Sequence, residues 1–166
     1  MRVYLGLGSN LGSREEYLRA ALHGLSDRSI KVVKCASVYA TQPRDLLDQP
    51  WFLNTAVEAN TALDPHELLV RCLQIEEENH RTRDSNKGPR TLDIDIIFYG
   101  NEILRQRGLT IPHPSFSTRR FVLLPLDEIA ADYTDPLSLK TIRDLLVVCG
   151  DQGEVRRVSP PLQHFF

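Results

Sequence analysis

The first strand and helix of the predicted fold are set by residues 2–25, RVYLGLGSNLGSREEYLRAALHGL. In its first part Val3, Leu5 and Leu7 alternate with other residues, which predicts a strand over Arg2–Gly8 with one apolar face. At the end of this stretch Gly8, Ser9 and Asn10 are residues typical of a turn. The chain therefore begins with a strand that ends in a tight, polar turn.

A helix follows this turn. Ser13 and Glu16 have the spacing of a capping box, in which each side chain accepts the other residue's backbone N–H at the start of a helix. Four apolar residues then recur on one helical face, namely Leu18, Ala21, Leu22 and Leu25. This pattern predicts an amphipathic helix.

Three more strands are predicted further along the chain. β-Branched residues indicate a strand over Ile30–Tyr39, where Val32-Val33 breaks the alternation and predicts a bulge. Alternation indicates further strands over Phe52–Asn60 and Leu92–Tyr99. Two polar, turn-rich stretches between these strands are predicted loops, Thr41–Pro50 and Arg81–Arg90.

A second helix begins near Asp64. Asp64, Pro65 and Glu67 suit the N-cap, first and third positions of a helix. Its buried stripe is predicted at Leu68, Cys72 and Ile75, and two weaker helices are predicted within Arg119–Ile129 and Ser138–Val148.

The order of these elements predicts an α+β fold. Strand and helix follow one another as βαββαβ, which indicates a ferredoxin-like sandwich with helices on one face of an antiparallel sheet. The additional C-terminal helices would extend it. We expect a single domain over residues 1–158 and a short tail over residues 159–166.

Composition narrows the class of protein. With 166 residues, 42% of them hydrophobic and 25% charged, the chain suits one soluble globular domain. A net charge of −2 gives no bulk attraction to nucleic acid or to anionic membranes. No apolar run of about 18 residues occurs, so we expect a cytoplasmic protein. The widely spaced Cys35, Cys72 and Cys149 are predicted to be buried apolar residues.

Asp93 and Asp95 are the first candidates for chemistry. Side chains at positions i and i+2 of a strand point to the same face, so the two carboxylates share one face while Leu92, Ile94, Ile96 and Phe98 share the other. Carboxylate pairs of this kind suit Mg²⁺, which bridges them to substrate phosphates. A solvated face that happens to carry two aspartates is the alternative that this pair alone leaves open.

Arginines surround these aspartates in the sequence. Arg81, Arg83, Lys87 and Arg90 precede them, and Arg119 and Arg120 follow. Guanidinium groups match phosphate oxygens in a bidentate manner, and phosphoryl transfer needs mainly alignment and charge neutralisation. A solvated charge run is the alternative for the first cluster.

Phe52 and Asn54 form a third candidate group. They share one strand face, and an aromatic ring beside an amide suits a flat heterocycle with a hydrogen-bonding edge. Phe121 is a candidate for the opposite side of a stacking sandwich. Core packing is the alternative for either phenylalanine.

Five blocks follow one another along the chain. They are LGLGSNLG at 5–12, FLNTAV at 52–57, GPRTLDIDI at 88–96, PHP at 112–114 and RRFVLLPL at 119–126. In order and spacing these blocks resemble the 6-hydroxymethyl-7,8-dihydropterin pyrophosphokinase family, over roughly residues 1–130. One departure is Lys87, where the family often has an aromatic residue.

The resemblance implies roles for the matching residues. Asp93 and Asp95 would hold two Mg²⁺ ions on the phosphates of ATP, and Asp95 is the nearest candidate for a general base. Arg81 and Arg90 would act catalytically on the transferring diphosphate. ATP contacts are implied for Glu76, Arg83, Ile96, Thr110, His113 and Arg119. Pterin contacts are implied for Thr41, Pro43 and Asn54 at the ring edge, and for Phe52 and Phe121 on its faces.

The resemblance also implies an activity. A member of this family would be an ATP-dependent diphosphokinase of folate biosynthesis, acting on the small molecules ATP and 6-hydroxymethyl-7,8-dihydropterin and releasing AMP. We expect a monomer with no nucleic-acid or membrane partner. The residues alone leave two alternatives: another Mg²⁺-dependent nucleotidyl or phosphoryl transferase, or a non-catalytic ferredoxin-like binding module.

Overall fold

The structure, a computed structural model, describes residues 1–43, 48–80 and 91–162. Within these ranges it has eight strands, which are β1 (Arg2–Ser9), β2 (Ile30–Cys35), β3 (Val38–Thr41), β4 (Phe52–Thr61), β5 (Asp93–Tyr99), β6 (Leu104–Gln106), β7 (Leu109–Ile111) and β8 (Val155–Ser159). Six of them form one antiparallel sheet, and β6 and β7 form a separate hairpin.

The main sheet has the strand order β5-β1-β4-β3-β8. One edge of β4 pairs with β1 along the whole length of β1, and its other edge is shared by β2 and β3. With β2 and β3 counted as one broken strand, this is the predicted ferredoxin-like antiparallel arrangement. The C-terminal strand β8 extends it beyond β3.

The single strand predicted over Ile30–Tyr39 is wrong, because the chain divides into β2 and β3. The predicted bulge is confirmed, since the pairing of β2 with β4 shifts between Val32 and Lys34. At Ser37 the backbone N–H donates to the Glu128 carboxylate, at 3.0 Å, and not to β4. Because this N–H bonds to a side chain, Ser37 does not donate to the ladder of backbone hydrogen bonds with β4.

Helices cover both faces of the sheet. α1 (Arg14–Leu25) and α2 (Pro65–Glu78) pack on one face, with Leu22 and Ile75 in the core between them and the sheet. α3 (Arg120–Ala130) and α4 (Ile142–Val148) pack on the other face, where Leu123 lies in a second core. The C-terminal helices therefore occupy the face that a plain ferredoxin-like sandwich leaves open.

The two predicted helix starts have different outcomes. Asp64 forms the full capping box, in which its carboxylate accepts from the Glu67 N–H at 2.9 Å and the Glu67 carboxylate accepts from the Asp64 N–H at 2.8 Å. The capping box predicted for Ser13 and Glu16 is wrong: Ser13 is the N-cap of α1, but its side chain makes no capping bond. The buried stripe predicted for α1 is confirmed.

A third correction concerns Phe98. The pairing of β1 with β5 places Tyr4 opposite Phe98 and Leu5 opposite Ile96, so Ile97 is an extra residue in a bulge. A bulge reverses the alternation beyond it. Phe98 consequently packs with Ile97 in the core under α3, whereas Ile94 and Ile96 lie in the core under α1 and α2.

Two of the three cysteines are buried, as predicted. Burial raises the pKa of the Cys72 thiol to about 12, so it is a neutral core residue at physiological pH. Cys149 is half-exposed and so contradicts the prediction, because it directly follows α4, where Val147 and Val148 are also exposed.

The C-terminal end is partly integrated into the body. Ser159 is the last residue of β8, and Leu162 is buried in the core under α1 and α2. The boundary between residues 158 and 159 stays a prediction. Among the residues described, none of the helices has the length and apolar character needed to span a bilayer.

The capping box of α2 predicts a difference between two helix caps. Asp64→Ala should lower the free energy of unfolding by about 1 kcal/mol, because it removes a side-chain acceptor for a helix N–H. Ser13→Ala is the matched control and should cost less than about 0.5 kcal/mol, since no capping bond is lost. Urea unfolding of both variants measures the difference, and equal losses would contradict the assignment.

Candidate active site

Two glycines on the central strand form the floor of the candidate site. Gly8 of β1 lies between Asp93 of β5 and Asn54 of β4, and Gly6 lies between Asp95 and Ala56. Because the glycines carry no side chains, this part of the sheet surface stays open. Two strand spacings separate Asp93 from Asn54, which is about 10 Å. The carboxylates of Asp93 and Asp95 therefore lie on one side of this floor, and the amide of Asn54 lies on the other.

A cavity of about 320 Å³ lies over this floor. Its walls come from the ends of β3, β4 and β5 and from the beginning of α3. The lining residues predicted from the sequence are Thr41, Pro43, Phe52, Asn54, Asp93, Asp95, His113, Arg119 and Phe121. Side chains as far apart in the sequence as Thr41 and Phe121 thus meet at one end of the sheet.

Asp93 and Asp95 lie on the cavity side of β5, and both are half-exposed. Ile94 between them points into the opposite core, as the alternation predicts. In the part of the chain that the structure describes, no group of three or more His, Cys, Asp or Glu side chains could hold a metal. Two carboxylates beside an open cavity suit Mg²⁺, which keeps several waters and shares its ligands with a phosphate substrate.

His113 is oriented toward this pair by its backbone and its ring. Its N–H donates to the Ile97 carbonyl at 3.0 Å, and its Nδ1 accepts from the Ser115 N–H at 3.2 Å. In a neutral ring the proton is therefore on Nε2, which lies 3.9 Å from Oδ1 of Asp95. Burial, helped by Arg119, lowers the pKa of His113 below its ordinary value.

Arg119 and Phe121 enter the cavity from the beginning of α3. The Arg119 guanidinium lies over the Phe121 ring, 5.8 Å from its centroid. This is a cation–π distance, so the positive group and the ring hold one another in place. A cation and an aromatic face are thus presented to the cavity by one helix turn.

The opposite wall joins β3 to β4. The Asn54 amide Nδ2 donates to the Thr41 hydroxyl at 2.5 Å, and both side chains are buried. An amide has two N–H groups and two lone pairs, so this bond fixes its orientation and leaves capacity for a ligand. Phe52, two residues before Asn54 on the same strand face, is half-exposed at the cavity.

Other predicted residues lie elsewhere. Glu76 of α2 is buried and accepts the Ile94 N–H at 2.8 Å, Ile96 lies in the core under α1 and α2, and Thr110 is exposed on β7. These three do not line the cavity. Arg81, Arg83 and Arg90, and Lys87 with them, lie outside the described residues.

Sequence analysis missed several residues of the cavity. Gly6 and Gly8 belong to the predicted first strand and to the block at 5–12, but their role as an open floor is not predicted, although two glycines at alternating positions indicate an open strip on one face. Gln49 lines the cavity and accepts from the Asn10 side chain at 2.9 Å, while Asn10 also donates to the Pro50 carbonyl at 3.1 Å. Nothing in the spacing of Asn10 and Gln49 indicates that they meet.

Comparison with known proteins bears directly on this cavity. Residues 4–131 match the family described as 7,8-dihydro-6-hydroxymethylpterin-pyrophosphokinase (HPPK). This chain belongs to that family. The match includes every strand and helix that lines the cavity, from β1 to α3.

Curated relatives agree with this membership. The chain is similar to the 2-amino-4-hydroxy-6-hydroxymethyldihydropteridine pyrophosphokinase of Bacillus subtilis, at 47% identity over 76% of this chain and 77% of that protein. The Methylorubrum extorquens protein of the same name is 40% identical over 95% of this chain and 99% of that protein. The folic acid synthesis protein fol1 of Pneumocystis carinii is 41% identical over 82% of this chain, which spans only 18% of that protein.

Solved structures agree on the HPPK fold. The Plasmodium falciparum HPPK-DHPS wild type with SDX-DHP superposes with a TM-score of 0.67 at 19% identity, covering 88% of this chain and 43% of that one. An HPPK-DHPS in complex with substrates has a TM-score of 0.69 at 16% identity, covering 88% and 42%. The chain therefore spans less than half the length of these structures.

The glycine floor predicts that Gly6 and Gly8 differ in how well they tolerate substitution by alanine. A Cβ at position 8 would lie 2.6 Å from Oδ1 of the buried Asn54, whereas a Cβ at position 6 would meet Cδ1 of Ile97 at an ordinary 3.5 Å. Gly8→Ala should therefore cost about 1–3 kcal/mol of unfolding free energy through overpacking, and Gly6→Ala much less. Chemical denaturation of both variants measures this, and a Gly6→Ala loss as large as that of Gly8→Ala would contradict it.

Proposed function

We propose that this chain transfers the terminal diphosphate of ATP to the hydroxymethyl oxygen of 6-hydroxymethyl-7,8-dihydropterin, giving AMP and the pterin diphosphate. One observation carries the proposal. A single cavity in a chain of the HPPK family presents paired carboxylates on β5 and, across a glycine floor, an amide with two aromatic rings. A diphosphate donor and a flat heterocycle fit its two ends.

The pterin binds at the end formed by β3, β4 and α3. Phe52 and Phe121 stack on the faces of the ring, and the Asn54 amide with Thr41 and Pro43 meets its polar edge. The support is that all five line the cavity and that Asn54 is held in one orientation by Thr41. A preset amide binds a matching ring edge without first losing its own conformational freedom.

The diphosphate lies at the other end, against Asp93 and Asp95. Their carboxylates suit Mg²⁺, two ions in this proposal, because they are hard oxygen ligands beside space for phosphate oxygens. When bound, the metal neutralises the charge that develops on the phosphate oxygens. The two aspartates face the cavity from one strand, so they would hold the ions at one end of the cavity.

ATP extends from this point toward His113 and Arg119. The Arg119 guanidinium supplies positive charge for phosphate, and the neutral His113 ring donates a hydrogen bond through Nε2. The family pattern alone supports two further parts of the proposal. Arg81 and Arg90 act on the transferring diphosphate, and Arg83 contacts ATP. Contacts of Glu76, Ile96 and Thr110 with ATP stay predictions as well.

The reaction then needs little covalent help from the protein. The pterin hydroxyl oxygen bonds to the β-phosphorus of ATP, the bond from that phosphorus to the α,β-bridging oxygen breaks, and AMP leaves. The hydroxyl proton is lost, and Asp95 is the candidate acceptor that the family pattern implies. Stacking and edge contacts hold the nucleophile close to the phosphorus, which supplies much of the rate. That the protein is a monomer and lies in the cytoplasm stays a prediction from the sequence.

The products of turnover test this function. Purified protein with Mg²⁺, ATP and 6-hydroxymethyl-7,8-dihydropterin should form AMP, measured by chromatography, and only when the pterin is present. Asp93→Ala should lower turnover by at least about 100-fold, since it removes half of the carboxylate pair. ADP in place of AMP would mean transfer of one phosphoryl group and would overturn the proposal.

The matched control for this loss is Asp132→Ala. Asp132 is an exposed aspartate that follows α3 and does not line the cavity. This variant should retain full turnover, while Asp93→Ala should keep the thermal midpoint of unfolding of the wild type. A folded Asp93→Ala protein with normal turnover would show that the carboxylate pair is not used.

A further inference from the structure

Residues Asp151–Arg157, here named the C-terminal brace, contact three elements that line the cavity. The brace includes the start of β8 and the turn before it, and it lies beyond the 4–131 range of the family match. Its contacts reach the end of β3, the beginning of β4 and the beginning of α3. No residue of the brace lines the cavity itself.

The first contact caps α3. Arg119 is the N-cap residue of that helix and makes no side-chain capping bond. The Asp151 carboxylate accepts the Arg120 N–H instead, at 2.9 Å, and its other oxygen accepts the Gly153 N–H at 2.9 Å. A carboxylate at this place satisfies an end group of the helix and interacts favourably with its dipole. Asp151 thereby holds the helix turn that carries Arg119 and Phe121.

The second contact holds the end of β3. Thr41 pairs with Val155 in the sheet, and Gln42 donates its N–H to the Glu154 carbonyl at 3.0 Å. Thr41 is the hydroxyl that orients the Asn54 amide. The backbone of the brace therefore sets the position of the pair that meets the ring edge.

The third contact reaches the beginning of β4. The Arg156 guanidinium lies over the Trp51 ring, 5.9 Å from its centroid, and the Glu154 carboxylate pairs with the same guanidinium. The Trp51 carbonyl accepts from Arg14 at 2.7 Å, so the backbone is held from α1 as well. Trp51 directly precedes Phe52. Arg156 thus contacts the residue before the Phe52 ring. Asp151 likewise accepts the N–H of the residue before the Phe121 ring.

A side-chain network also joins the brace to β3 and α3. The Ser37 hydroxyl accepts from Arg157 at 2.8 Å and donates to the Glu128 carboxylate of α3 at 2.8 Å. The other oxygen of Glu128 accepts from the Tyr39 hydroxyl at 2.8 Å, and burial together with this carboxylate raises the pKa of Tyr39 to about 12. The distance between α3 and β3 is therefore fixed by bonds that include the brace.

We infer that the C-terminal brace is a positioning element for the pterin end of the cavity, with Asp151 and Arg156 as its positioning residues. The inference rests on the proposed function. The brace sets the separation and angle of the Phe52 and Phe121 rings and the orientation of the Asn54 amide. It acts through neighbours and touches no substrate. It makes no sheet pairing with β5, so the positions of Asp93 and Asp95 do not depend on it.

The test compares pterin and nucleotide binding in Asp151→Ala and Arg156→Ala. The Kd for 6-hydroxymethyl-7,8-dihydropterin, measured by calorimetry with a saturating non-hydrolysable ATP analogue, should rise about two- to tenfold, as expected for loss of a helix cap or a surface cation–π contact. The Kd for the ATP analogue should stay within about twofold in Arg156→Ala, and in Asp151→Ala it should rise less than the Kd for the pterin, because Arg119 lies on the capped turn. In steady state the KM for the pterin should rise more than kcat falls.

Two further variants separate positioning from general damage. Arg156→Lys keeps a cation over Trp51 and should restore most of the pterin affinity. Arg19→Ala is the matched control, because Arg19 forms the same kind of exposed arginine–glutamate pair with Glu15, at 2.8 Å on α1, across the sheet from α3. It should leave both affinities unchanged. Trp51 is the only tryptophan of the chain, so its emission in the absence of ligand should change in Arg156→Ala and not in Arg19→Ala.

The outcomes separate this inference from the proposed function. Wild-type protein that neither binds the pterin nor forms AMP would overturn the function. Wild-type protein that forms AMP, together with Asp151→Ala and Arg156→Ala variants that bind the pterin as tightly as the wild type, would overturn the inference alone. An equal loss of pterin and nucleotide affinity would also overturn it, since that result indicates general destabilisation.

Discussion

The site depends on a strip of the central strand that has no side chains. β1 pairs on both edges, with β4 and β5, so its backbone is held by two ladders. Glycine in a strand weakens it through chain entropy and missing packing. In the middle of a sheet the two neighbouring strands offset this cost. Gly6 and Gly8 therefore leave space over the sheet at a place where the backbone is well supported.

The two faces of the sheet divide stability from function. The face under α1 and α2 is filled by apolar side chains from strands and helices, among them Leu5, Leu7, Leu22 and Ile75. The other face is apolar only in the part where Phe98 of β5 packs against Leu123 of α3. At the beginnings of β4 and β5 the same face carries Asn54 and the aspartates. α3 thus lies on a core at one end and opens over a cavity at the other.

Polar groups around the cavity are oriented by partners outside it. Thr41 holds Asn54, the Ser115 N–H sets the His113 ring, and Asp151 caps the helix that presents Phe121. Each bond restrains a group before any ligand arrives, so less conformational freedom is lost on binding. The bulge at Ile97 contributes as well, because its carbonyl accepts the His113 N–H. Irregular backbone and distant side chains are therefore part of the site.

The sequence by itself determined the βαββαβ order, in which β2 and β3 count as one strand, the shared face of Asp93 and Asp95, the start of α2 and the family. These follow from local periodicity, capping chemistry and ordered motifs, which act over a few residues. Only the tertiary structure decided that Ser37 breaks a strand, that Phe98 changes face and that Ser13 does not cap α1. It also decided that Asp151 and Arg156 reach the walls of the cavity. Those outcomes depend on bonds between residues far apart in the chain, such as Ser37 with Glu128, and no local pattern encodes which distant groups will meet.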